Sequence, residues 1–198
     1  SNVNYTCSED AITSSKIGGI VGNGQGTVDI EKCTNNGSIT LDYANDSIGG
    51  IAGYMEKGSI SNSINKGSIS STYAKHIGGI IGNVASAEFK GLINSANIGT
   101  VEGRKHDITI DTTLYEEYPG SIVGFIGSHD SSLISNNYYV DGQDYGLVTD
   151  TVYTAATKVS LEDIESGKLA YLLGKKFGQK LDKLNDGEIK DAYPIVGG

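Results

Sequence analysis

The chain has 198 residues, enough for one medium domain with a real core, and sets 24 acidic against 15 basic residues for a formal charge of -9. That balance repels phosphate backbones and supplies no basic stripe, so no nucleic acid partner is expected, and anionic membrane surfaces are disfavoured as well. No apolar run approaches the ~20 residues of a membrane span, so no membrane insertion is expected of this segment.

Glycine is abundant (28 residues), Pro is scarce (2) and Trp absent, and short Ile/Val runs alternate with Ser, Thr, Asn and Gly. This pattern predicts a β-rich, turn-dense chain. Cys7 and Cys33 fit neither a disulfide-dense scaffold nor a Cys-x-x-Cys metal site. Cys7 stands where a preceding copy would place the counterpart of Cys33, whose later counterparts are Ser63 and Ser95, so the chain is expected to begin in mid-repeat as part of a longer array. Two readings of the cysteines stay open, a stacked bridge or reduced packing residues, the second being favoured.

Internal periodicity decides the fold. Ile17-Gly18-Gly19-Ile20-Val21-Gly22 recurs as Ile48-Gly49-Gly50-Ile51-Ala52-Gly53 and as Ile77-Gly78-Gly79-Ile80-Ile81-Gly82, with Pro119-Gly120-Ser121-Ile122-Val123-Gly124 as a weaker fourth copy. The steps between copies are 31, 29 and 42 residues, which locates an insertion at about 103–118. Apolar segments at Val28–Ile30, Ser59–Ser61 and Leu92–Ile93 follow each copy, and then comes Asn-x-Gly-Ser/Thr-Ile/Val, at Asn35, Asn65 and Asn97. Asn137 continues that series without its glycine.

Three short strands per ~30 residues cannot bury an apolar face alone, so neighbouring copies must supply the cover. The expectation is an all-β, right-handed parallel β-helix or β-solenoid of about four coils over residues 1–148. At the usual ~4.8 Å strand spacing, Asn35, Asn65, Asn97 and Asn137 would form a ladder of amides. The Asn-x-Gly corner is expected to use left-handed backbone angles. Tyr43 and Tyr73, in matching places before the next Ile-Gly-Gly, are expected to stack in the core.

These residues resemble the GLUG repeat, named for a Gly-Leu-x-Gly core and found in large secreted and wall-attached bacterial proteins. Here the core reads Gly-Ile-Val-Gly, Gly-Ile-Ala-Gly, Gly-Ile-Ile-Gly and Ser-Ile-Val-Gly, with Ile for Leu, over about residues 5–140. The resemblance implies an extracellular or bacterial cell-surface location and an adhesion or spacer role, with adjoining repeats or domains of a longer protein as neighbours. Similar repeats accompany secreted metallopeptidases, but the His-Glu-x-x-His zinc helix is absent from this sequence.

From about residue 149 to 198 Lys and Leu rise and Gly falls, which predicts a capping segment. Ser160 reads as the N-cap of one helix over about 161–173, with Leu161, Ile164, Leu169, Leu172 and Leu173 on one face and Gly174 as its stop. Phe177–Leu181 and Asp191–Val196 read as two strand-like pieces packing with it, an ending that resembles those following GLUG-type repeats.

The sequence offers little chemistry. His76, His106 and His129 have no i, i+4 partner, no Gly-x-Ser-x-Gly elbow is present, and the repeated glycines lack the Lys-Ser/Thr of a phosphate loop. No cofactor, metal or catalytic residue is assigned. The expected function is a non-catalytic surface module, a rigid spacer or adhesin segment meeting a host glycan or extracellular protein. Its alternatives are a carbohydrate-active β-helix and a calcium-dependent glycan-binding unit using Asp141 and Asp144, or Asp42 and Asp46. Insertion residues Arg104, His106, Tyr115, Glu117 and Tyr118 are the candidate ligand contacts, polar and aromatic residues on a loop that departs from the repeat.

Overall fold

Short β-branched runs between Gly and Asn turns form short strands, and each strand finds its hydrogen-bonding partner in the equivalent strand one repeat away. The computed structural model describes residues 3–4, 15–41, 46–103, 106–110, 113–117, 119–127, 131–140, 156–181 and 191–197. Within these, the chain is β-rich, and its inter-repeat pairing is parallel.

The second repeat displays the pattern in four strand segments, Ser47–Gly49, Ala52–Ser61, Ile64–Asn65 and Ile69–Ser71. The repeat reads as three strands in sequence. The difference arises because Ile48-Gly49-Gly50-Ile51-Ala52 is folded sharply between two segments: a Cβ on Gly49 would lie 2.0 Å from the Ala52 carbonyl oxygen. Only a residue without a side chain lets the backbone approach itself so closely.

Register keeps like residues side by side. Ile17 pairs with Ile48 and Ile48 with Ile77; Ile39 pairs with Ile69 and Ile69 with Val101; Ile60 pairs with Leu92 and Leu92 with Ile134. A one-residue slip would turn this whole apolar set outward, so register and burial enforce one another. Ile48, Ile51, Ile60, Ile64, Ile69, Ile77 and Ile80 are almost completely buried. Each buried isoleucine contributes about 1.5–3 kcal/mol. Ile20, the first-repeat counterpart of Ile51 and Ile80, is 45% exposed, and its following strand Val21–Glu31 pairs on one side only among the described residues.

Tyr73 does not enter the core. It is 46% exposed, while the next residue, Ala74, is fully buried. The bend there admits a methyl group and turns the ring outward. Tyr43 lies outside the described residues.

The C-terminal segment joins the same sheet system. Strand Ala156–Val159 pairs in parallel with Asn137–Val140. Two short helices follow, α1 (Leu161–Glu165) and α2 (Lys168–Leu173), in place of one helix over 161–173. The break falls at Ser166-Gly167, where Gly167 takes φ 79°. It resets the helical phase, so Ile164, Leu169 and Leu173 are buried with Phe177 against Tyr138, Ala96 and Ile64, whereas Leu161 is exposed. Phe177–Gly178 and Ile195–Val196 form an antiparallel pair. Gln179 Nε2 donates to the carbonyls of Ile164 and Asp191, tying that pair to α1. Among the described residues no helix is long and apolar enough to cross a membrane.

Ser160 caps α1 with a complete capping box: its hydroxyl accepts from the Asp163 N–H at 3.1 Å, and the Asp163 carboxylate accepts from the Ser160 N–H at 3.2 Å. The Lys168 ammonium 2.7 Å from the Asp163 carboxylate, aided by the Ser160 N–H, holds that carboxyl below its usual range. A depressed carboxyl stabilises the fold above the usual carboxylate range, and that contribution is lost as pH falls through its folded-state value. Loss of the Ser160 cap bond in Ser160→Ala should cost about 1 kcal/mol in urea unfolding at neutral pH. Asp163→Asn should weaken the acid-side loss of stability in the same assay.

Candidate functional site

The asparagines of the repeat point inward at one corner. Asn35 Nδ2 donates to Asn65 Oδ1 at 2.8 Å, and Asn65 Nδ2 donates to Asn97 Oδ1 at 2.8 Å. Each amide also closes its own turn: the Nδ2 groups of Asn35, Asn65 and Asn97 donate to the carbonyls of Gly37, Gly67 and Gly99. The Gly37 and Gly67 N–H groups donate back to the Asn35 and Asn65 side-chain oxygens. Asn65, with no exposed surface, thus makes four hydrogen bonds through one amide. Its burial is affordable only because none of that capacity is wasted.

The repeat glycines make room for this ladder. A Cβ on Gly19 would lie 2.6 Å from Asn35 Cγ, one on Gly50 2.3 Å from Asn65 Cγ, and one on Gly79 2.4 Å from Asn97 Cγ. Gly18, Gly49 and Gly78 occupy the tight folds before the next strand. Gly22, Gly53 and Gly82 face backbone instead: their Cβ positions fall 2.7 Å from the Lys16 carbonyl, 2.4 Å from the Ile17 nitrogen and 2.7 Å from the Ile48 nitrogen. All nine therefore act through close approach; none of them takes a positive φ.

Asn137 does not extend the ladder. Tyr139 pairs with Asn97, and Asn137 lies two residues earlier, over Ser95. There it joins a different column, in which the Cys33 N–H donates to Ser63 Oγ, the Ser63 N–H to Ser95 Oγ, and the Ser95 N–H to Asn137 Oδ1. Asn137 Nδ2 donates to the Leu92 carbonyl. The change coincides with Ser121, which stands where the earlier copies have a glycine packed against a ladder amide. In the fourth copy the glycine and the asparagine are lost together. Cys33 is a free thiol in this column, and Cys7 lies outside the described residues.

The left-handed corner also lies elsewhere than the Asn-x-Gly turns. Lys32, Asn62, Asn94 and Asn136 take φ of 56°, 49°, 51° and 55°. Asparagine reaches this region at least cost among residues with a Cβ, which explains three of the four. The signal was present in the sequence as a residue recurring just before Cys33, Ser63 and Ser95.

The insertion backbone forms an antiparallel hairpin, His106–Ile110 with Thr113–Glu117. Its register sets His106 opposite Glu117 and Ile108 opposite Tyr115. Arg104 and Tyr118 lie outside the described residues, as do His129, Asp42, Asp141 and Asp144. Asp46 accepts a hydrogen bond from Ser47 Oγ at 2.7 Å and lies 3.9 Å from the Lys16 ammonium. Among the described residues no group of three or more His, Cys, Asp or Glu converges to hold a metal.

A second set of side chains, of which the sequence singles out only His76, meets near the folded Gly-Gly turns. The Lys16 ammonium lies 4.4 Å from the Tyr54 ring centroid, and the His76 and Phe125 rings are 4.7 Å apart at 33°. Asn83, between Tyr54 and Phe125 in register, is 9% exposed, and its Oδ1 has no hydrogen-bond partner. Comparison with family models, curated proteins and solved structures finds no match to this chain.

Asn65→Ala should lower unfolding free energy by about 3 kcal/mol or more, since it strands two or more buried groups at ~1–3 kcal/mol each. Asn137→Ala should leave the bonds of the Asn35–Asn65–Asn97 ladder intact. Gly50→Ala should prevent native folding, because its methyl would meet the Gly79 oxygen at 2.2 Å as well as Asn65. Urea denaturation followed by circular dichroism checks all three.

Proposed function

We propose that this chain is a non-catalytic module of the bacterial cell surface, a right-handed β-solenoid whose repeats are of the GLUG type and whose C-terminal segment seals one end. The observation that carries this reading is self-pairing: Asn35, Asn65 and Asn97 lie one over another, as do Ile17, Ile48 and Ile77. A repeat that recognises its own copy can be added without redesigning either end, which suits a spacer of variable length. Rigidity follows from the same device, because each added copy is held by backbone ladders, a buried amide and apolar cover at once. The glycine spacing and the Gly-Ile-x-Gly cores support the family reading, and the surface location follows from that family. Host glycans or extracellular proteins are the partners such a module would meet.

Tandem duplication of one 29-residue step, Ile48–His76, tests the architecture. The lengthened protein should fold, resist more urea than the parent, and gain about 4.8 Å in maximum dimension by small-angle X-ray scattering. A duplicated segment that stays unfolded as a loop, leaving stability unchanged, contradicts it. Location is tested on intact cells of the source organism, where external protease should remove the module before the cytoplasm is breached.

A further inference from the structure

Parallel register carries one line through Asn23, Tyr54, Asn83 and Phe125, and a second through Lys16, Ser47 and His76; Ser47 is fully buried and Asn83 nearly so, while the other members reach the surface in part. The lines touch where Lys16 meets Tyr54 and where His76 meets Phe125. Tyr54 and Phe125 are partly exposed and stand two strands apart, a separation of about 10 Å from the ~4.8 Å strand spacing. Asn83 sits between them with its amide oxygen buried and unpartnered. Asn35 and Asn65 use both hydrogens of their amides, whereas the side-chain oxygens of Asn83, Asn62 and Gln179 are buried without a partner; of these three only Asn83 lies between two partly exposed rings, and a buried unmatched acceptor is a cost that a bound donor would relieve.

We propose that Tyr54, Asn83 and Phe125, flanked by Lys16 and His76, form a binding strip for an uncharged saccharide chain. Pyranose rings combine apolar C–H faces with hydroxyl groups that both donate and accept, and the strip offers aromatic, amide and aromatic groups in that order. An amide flipped about its terminal bond presents either a carbonyl or an NH2 to such a hydroxyl. Other ligand classes fit less well. An extended peptide adding to the sheet could pair only along Val123–Ile126, which among the described residues has a partner on one side, and not along the strands of Tyr54 and Asn83, which are paired on both. A phosphorylated ligand needs uncommitted cations, yet Lys16 already faces Asp46 and the Tyr54 ring. The strip rests on the surface-module reading and gives it a site outside the hairpin.

The test is a nuclear magnetic resonance titration of the whole chain with cellohexaose, xylohexaose and chitohexaose, and with oligogalacturonate as an anionic arm. At least one neutral hexasaccharide should shift the Tyr54, Asn83 and Phe125 resonances. Asn83→Leu should weaken that binding tenfold or more without lowering the unfolding midpoint, and Tyr54→Ala should weaken it similarly. Shifts confined to residues 106–117, or unchanged binding by Asn83→Leu, overturn the strip while leaving a glycan-binding module standing. Binding of oligogalacturonate alone overturns the uncharged class. Silence with all four saccharides removes glycan recognition altogether and leaves the repeat-duplication result as the independent test of the architecture.

Discussion

The structure depends on how closely one repeat can lie on the next. Parallel strands fix the separation at about 4.8 Å, and at that distance identical side chains either complete one another or collide. Isoleucine completes itself by burial. Asparagine completes itself by donating to the oxygen of its neighbour. Glycine at positions 19, 50 and 79 removes the methyl that would otherwise occupy the space of the amide. These three choices are mutually dependent, so the repeat is conserved within the chain as a set.

The fourth copy demonstrates that dependence. Once Ser121 occupies the glycine position, no amide lies flat against it; Tyr139 takes the register place of an asparagine, and Asn137 is moved into the serine column. Because the following strand Ala156–Val159 pairs with Asn137–Val140, the change coincides with the transition from repeat to C-terminal segment. There the apolar faces of α1 and α2 cover Tyr138, in the role that a further repeat plays elsewhere.

Spacing made much of this legible beforehand. The β-rich class, the recurring glycines, the inward asparagines at 35, 65 and 97, and the Ser160 cap all follow from periodicity or local chemistry. Asn137 differs from the ladder asparagines in lacking the glycine two residues later, and it lies over Ser95 instead of Asn97. An aromatic at repeat period predicts a core place for Tyr73, but the bend accommodates Ala74 instead. The split between α1 and α2 hinges on Gly167, whose φ no hydrophobic pattern reveals. The line through Tyr54, Asn83 and Phe125 was invisible for another reason: its members are chemically unlike, and only three-dimensional register brings them together.

The amide ladder can be measured directly by hydrogen–deuterium exchange of asparagine side chains in the native protein. Both Nδ2 hydrogens of Asn35 and of Asn65 are committed, to a glycine carbonyl and to the next amide. They should exchange orders of magnitude more slowly than those of exposed Asn36, at a rate tracking global unfolding. Exchange of Asn35 and Asn65 as fast as Asn36 would mean that the repeats are not held together in this register.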